Sequence, residues 1–196
     1  MIFTPTGLRD AIVIDVERRG DERGYLARTF CEQEFAENGL VTRFVQASTI
    51  FSPQRGTLRG LHFQEAPHGE VKVVRCTRGA ARVTIVDLRP DSCTYTQWTG
   101  VELSPENGRL LYVPMGFAQG YQTLVDDTEV AYQMSHKYVP EAASGVRWDD
   151  PAFGIQWPPA ERRIISPRDR AWPDYRVQSR RLPEARLAPD APLLAR

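Results

Sequence analysis

Short runs rich in Val, Ile, Thr and aromatic residues recur between residues 11 and 137, and Gly, Pro, Asn or Asp mark most of the breaks between them. Such runs suit pleated, half-buried strands, and the breaking residues suit the turns between strands. The candidate strands are Ala11–Val16, Thr42–Phe51, Thr57–Phe63, Glu70–Thr77, Ala80–Leu88, Thr96–Leu103, Arg109–Val113, Gly116–Leu124 and Glu129–Lys137. Only Cys31–Asn38 carries a helical pattern, with Gly39 placed as its stop signal. Regular strand spacing without intervening helices points to a sandwich, a jelly roll or a small barrel.

After about Asp150 the pattern changes. Pro151, Pro158, Pro159, Pro167 and Pro173 predict a wrapped, mostly irregular segment. Beyond Tyr175, Arg, Pro, Ala and Leu alternate with no clear period, as expected of a surface-wrapping or loosely ordered tail. The chain therefore reads as one domain over residues 1–176 and a tail over 177–196, with no internal repeat. The architecture expected is all-β, a cupin-type β-barrel (jelly roll) with short peripheral helices and an irregular C-terminal segment.

Charge narrows the partners. The 25 basic side chains equal the 25 acidic ones, against the basic excess of a generic nucleic-acid binder. Local basic pockets for a small anion stay open. Cys31, Cys76 and Cys93 are widely spaced and form no CxxC pair, which suits a reduced, cytoplasmic protein. No signal-peptide pattern is evident, and no stretch approaches the roughly 18 apolar residues of a membrane span. No membrane partner is expected.

The histidines are His62, His68 and His136. A metal-binding barrel of this type needs an HxH pair, a following Glu and a later His, because a divalent ion needs three or four converging ligands. His62 stands alone on its strand. His68 and Glu70 fall in a Pro/Gly-containing loop, and Gly116–Tyr121 offers Gln119 in place of a late histidine. No metal and no cofactor are expected. Strand alternation sends Arg59 and Leu61 one way and Leu58, Gly60 and His62 the other, so a ligand touching both Arg59 and His62 needs a twist or a bulge. Taken alone, His62 reads as a hydrogen-bonded structural histidine.

The surrounding pattern reverses that reading. The run Arg55-Gly56-Thr57-Leu58-Arg59-Gly60-Leu61-His62-Phe63-Gln64, the earlier Asp21-Glu22-Arg23-Gly24-Tyr25, and Val71-Lys72-Val73-Val74-Arg75 stand in order. They are followed by Val86-Asp87-Leu88-Arg89, Tyr112-Val113-Pro114-Met115-Gly116-Phe117-Ala118, Trp148-Asp149-Asp150-Pro151 and Ile165-Ser166-Pro167-Arg168-Asp169. Together these segments, from about Gly7 to Tyr175, resemble the dTDP-4-dehydrorhamnose 3,5-epimerase family.

The resemblance implies proton chemistry beside a ketone. A 4-keto group acidifies the hydrogens on C3 and C5; a base removes one, an enolate forms, and an acid returns a proton to the opposite face. Such a site needs a base that works near neutrality, an electrophile at the developing oxyanion and a proton donor across the ring. By resemblance His62 is the base, imidazole ordinarily titrating near pH ~6.5. Asp169 is its partner carboxylate, Lys72 faces the enolate oxygen, and Tyr132 is the proton donor. Arg59 and Arg23 match positions that bind the nucleotide diphosphate, for which the planar guanidinium is suited. Tyr138 matches an aromatic that stacks on the nucleotide base, with Gln46 beside it. The Arg23 region reaches a partner subunit's site in the family, which implies a homodimer.

The pattern also breaks. Val83 stands where the family usually has Asp, and Gln119 where it has His, so a second polar pair near the sugar is absent. Arg28 replaces a common Glu near the base, and Ser48 and Ile50 replace Asn and Ser. Catalysis at one ring carbon at least is expected, with thymidine the expected nucleoside and other nucleotides open. The alternatives are a single-carbon epimerase or keto-isomerase acting on a different NDP-4-keto sugar, a non-catalytic sugar-nucleotide-binding relative, and a metal-dependent relative.

Overall fold

The computed structural model describes residues 1–178. The chain begins with β1 (Ile2–Pro5), β2 (Ile12–Asp15), β3 (Arg18–Asp21), β4 (Gly24–Ala27) and the helix α1 (Glu32–Glu37). It continues through β5 (Gln46–Ser52), β6 (Thr57–Gln64), β7 (Lys72–Arg78) and β8 (Ala81–Asp87). β9 (Trp98–Leu103), β10 (Leu110–Val113), β11 (Phe117–Thr123) and β12 (Thr128–Met134) follow. The described part ends with β13 (Ala143–Gly145), β14 (Ile164–Ile165) and the one-turn helix α2 (Pro167–Arg170).

Two sheets make the body. One runs β1-β2-β10-β7-β12-β5 and the other β13-β6-β11-β8-β9, with β14 added in parallel beside β6. All other pairings are antiparallel. Each sheet keeps two edges, so the jelly roll is two facing sheets rather than a barrel closed by hydrogen bonds. Inward residues of both sheets share one apolar cluster, including Val74, Val83, Ile85, Leu103, Leu111, Phe117 and Val130. Each such side chain stabilises the fold by roughly 1.5–3 kcal/mol on burial. Among the described residues no helix is long and apolar enough to cross a membrane.

The helix signal at Cys31–Asn38 corresponds to α1, one residue shorter at each end. Gly39, at φ +69°, ends it: its N–H donates to Ala36 and that of Leu40 to Phe35, a Schellman closure. α1 buries Phe35 among Phe3, Phe30, Phe44 and Tyr112. That packing draws Phe44 away from the expected strand over Thr42–Phe51, and regular pairing starts only at Gln46. Sequence reading misses β1, the β3–β4 hairpin, β13 and β14, all of four residues or fewer.

Asp87, fully buried at the end of β8, accepts from Arg89, Ser92 and Thr94. Burial pushes its carboxyl up, but these donors outweigh burial and hold it below the usual range. Past α2 the chain is tied back: Tyr95 and Tyr175 hydroxyls lie 3.1 Å apart, and the Gln178 N–H donates to Tyr95. Of the tail expected over 177–196, all but Val177 and Gln178 lies outside the described residues.

Candidate active site

The alternation expected along β6 fails, and its failure builds the site. Gln119 on β11 faces His62, and Tyr121 faces Arg59, so three steps on β6 span two on β11. This bulge reverses the parity of the strand, and Arg59 and His62 line the same cavity. Two glycines permit it. Gly60 lies at φ +113°, and a Cβ there would meet the Gly120 Cα at 2.6 Å. A Cβ on Gly120 would in turn meet the Arg59 carbonyl oxygen at 2.6 Å.

Asp169 reaches His62 by a separate route. Ile164 and Ile165 dock beside Thr57 and Leu58 of β6, which carries the chain to the cavity edge. There Ser166 caps α2, its hydroxyl accepting from the Asp169 N–H at 3.1 Å, with Pro167 at the first helical position. The Asp169 side chain, 6% exposed, places Oδ1 2.6 Å from His62 Nε2, and its Oδ2 accepts from the Gly60 N–H at 3.2 Å. Burial pushes the Asp169 carboxyl up. The hydrogen bond and charge of His62, with the Gly60 and Ser166 contacts, prevail and hold it below the usual carboxylate range.

The opposing sheet supplies the other groups. Lys72 on β7 and Tyr132 on β12 face the cavity with Val130 and Met134. The buried Lys72 ammonium donates to the His62 carbonyl at 3.5 Å and pairs with Glu70 at 2.7 Å. Gln119 and Tyr138 also line the cavity, whose volume is about 520 Å³, within the range of small-molecule sites.

His62, Lys72, Tyr132, Asp169, Arg59, Gln119 and Tyr138 are thus brought together. Gln46 does not line the cavity, but its Oε1 accepts from the Tyr138 N–H at 2.9 Å and fixes the chain there. Arg23 is not brought to the cavity of its own chain. It sits at the turn of the β3–β4 hairpin, 84% exposed and paired with Asp21. Val83 is fully buried in the apolar cluster, diagonal to Gln119 across β8 and β11. Arg28 pairs with Glu34 at 2.7 Å, while Ile50 lines the cavity.

Two charged cavity residues lie outside the sequence-derived site. Glu70, which the sequence suggests only as a metal ligand, stands two residues before Lys72, just ahead of β7. Arg168 lines the cavity with its guanidinium 5.5 Å from the Trp172 ring, and its signal was its place beside Asp169 in a Ser-Pro helix start. Among the described residues no three His, Cys, Asp or Glu side chains are grouped to ligate a metal ion. His68 instead packs edge-on against His136.

The jelly roll presents a His–Asp pair, a lysine and a tyrosine to one pocket between its sheets, groups suited to proton transfer beside a carbonyl. The family model described as dTDP-4-dehydrorhamnose 3,5-epimerase matches residues 5–176, and the chain belongs to that family. The enzyme of that name from Methanothermobacter thermautotrophicus is 49% identical over 177 residues, 89% of this chain and 94% of the relative. The Elizabethkingia anophelis epimerase structure superposes with a TM-score of 0.86 at 36% identity, covering 89% of this chain and 96% of that one. The Legionella pneumophila epimerase, solved with dTDP-4-keto-L-rhamnose, gives 0.81 at 36% identity, covering 86% and 89%. A dTDP-4-dehydrorhamnose 3-epimerase from Streptomyces niveus is 36% identical over 170 residues, 86% of this chain and 81% of the relative.

Proposed function

We propose that this chain epimerises a dTDP-4-keto-6-deoxyhexose at C3, C5 or both, through an enolate and without a metal. The observation that carries this reading is the 2.6 Å pair of His62 and Asp169 inside a cavity that also holds Lys72 and Tyr132. His62 takes the proton from the carbon beside the ketone, and the buried Asp169 carboxylate orients the ring and balances the imidazolium. The electron pair moves onto the C4 oxygen, where the Lys72 ammonium stabilises it. Tyr132 then gives its proton to the same carbon from the other side. His62 and Tyr132 belong to different sheets, which supports approach from opposite faces of a ring held between them. Solvent re-protonates Tyr132 and takes the proton from His62, so no net proton is consumed.

Arg59 binds the diphosphate, with the nucleoside toward Tyr138. Arg23, exposed on its hairpin, serves the same diphosphate in the site of a partner copy, and the working unit is a homodimer in the cytoplasm. The Streptomyces niveus relative favours a second reading, inversion at C3 alone. Gln119 opposite His62 supports it, because a neutral amide cannot relay a proton as imidazole can.

The test is incubation with dTDP-4-keto-6-deoxyglucose in heavy water, following deuterium at C3 and C5 by NMR. Incorporation at both carbons supports the double epimerase, and incorporation at one the single. No incorporation, with dTDP still bound, would overturn the catalytic reading in favour of a binding protein or another sugar nucleotide.

A further inference from the structure

Lys72 carries three N–H donors on a long, flexible stem, and an electrophile of that kind works only if it is held still. Its position is determined by one neighbour above all. Glu70 Oε1 lies 2.7 Å from Nζ, and the two side chains are 3% and 10% exposed. The other contact, to the His62 carbonyl, is longer at 3.5 Å. Glu70 lies two residues before the start of β7, and both it and Lys72 line the cavity.

The Glu70 Oε2 is buried with no hydrogen-bond partner among the described residues, a condition that costs folding free energy. An amide at this position keeps an acceptor for Lys72 but leaves its buried ammonium without a counter-charge. The carboxylate both balances that charge and holds it inside the cavity. With one N–H on Glu70 and a second toward the His62 carbonyl, the third is left for an oxygen in the cavity.

We propose that Glu70 is a positioning residue for the reaction: it fixes the Lys72 ammonium so that one N–H points at the ketone oxygen as the enolate forms. This rests on the reading that Lys72 faces that oxygen. In this role Glu70 acts through Lys72, so its removal affects turnover and not nucleotide affinity.

The test is a double-mutant cycle of Glu70→Gln and Lys72→Met, read as deuterium exchange into the keto sugar, dTDP affinity and melting temperature. Glu70→Gln is expected to slow exchange about tenfold or more, as displaced catalytic groups do. KM and dTDP affinity should stay within about threefold, the signature of an interaction used in the transition state. Melting should fall, because the buried Lys72 ammonium loses its counter-charge. In the Lys72→Met background the same change should alter exchange less than about twofold, since its target is gone. If Glu70→Gln fails to fold, Glu70→Asp, one methylene shorter, should show the same slowing at unchanged dTDP affinity. Wild-type exchange in Glu70→Gln, or an equal effect with Lys72 absent, would overturn the proposal while leaving Lys72 in its role. Wild-type exchange in Lys72→Met would overturn both.

Discussion

His62 Nε2 and Asp169 Oδ1 lie 2.6 Å apart although 107 residues separate them in the chain. One comes from a strand of the jelly roll and the other from a one-turn helix docked against it. His62→Ala should abolish solvent exchange into the keto sugar, with dTDP affinity kept within about threefold because the diphosphate and base contacts are untouched. Asp169→Asn, which leaves a ring partner but no charge, should reduce exchange about a hundredfold or more. Exchange near the wild-type rate in His62→Ala would identify another base.

In the proposed mechanism Tyr132 gives its proton in the second half of the reaction only. Tyr132→Phe should therefore retain deuterium exchange at a larger fraction of the wild-type rate than net inversion. Chiral analysis of the product beside NMR exchange reads the two rates. Equal loss of both would count against the donor role.

Gly120 allows two backbones to meet at the β6 bulge. Gly120→Ala should destabilise the protein by roughly 1–3 kcal/mol, the usual effect of overpacking. Exchange should fall in the folded fraction as well, since the bulge is what turns Arg59 and His62 into one cavity. Denaturant melts and exchange rates on the same sample test the two effects together.

The Asp169 carboxyl is held below its ordinary range in the folded protein. Its contribution to stability is therefore full above the unfolded carboxylate value, about 3.9, and is lost as pH falls through the lower folded value. Asp169→Asn should lose less stability than the wild type below about pH 4, measured by urea melts across the acid range. Parallel curves would mean that the pair does not favour the folded state.

Asp87 tests the scaffold apart from the chemistry. Asp87→Ala removes the acceptor shared by two hydroxyls and by the Arg89 guanidinium, which keeps Asp10 and the Arg9 carbonyl, and should lower stability by roughly 1–3 kcal/mol. At low temperature, where the variant is folded, dTDP affinity should match the wild type. Calorimetric melting and a binding titration measure the two.

The strand-rich, two-sheet class was legible because alternation and turn residues are local signals. So was the end of α1, where Gly39 takes up a positive φ that other residues adopt at a cost. His62, Lys72, Tyr132 and Asp169 were legible as a set through the motifs around them, and the cavity brings all four together. What alternation mispredicted was the side on which Arg59 stands, because a bulge depends on the partner strand and β11 lies far away in sequence. Arg23 shows another limit, since its place outside the cavity follows from a hairpin that pairs only with itself. Glu70 was visible as a residue but not as the partner of Lys72, because burial gives that pair its weight. By itself the sequence determined the fold class and the chemical groups present. Tertiary structure decided which of them share one cavity, because parity, burial and charge pairing are set by neighbours that the chain supplies only after folding.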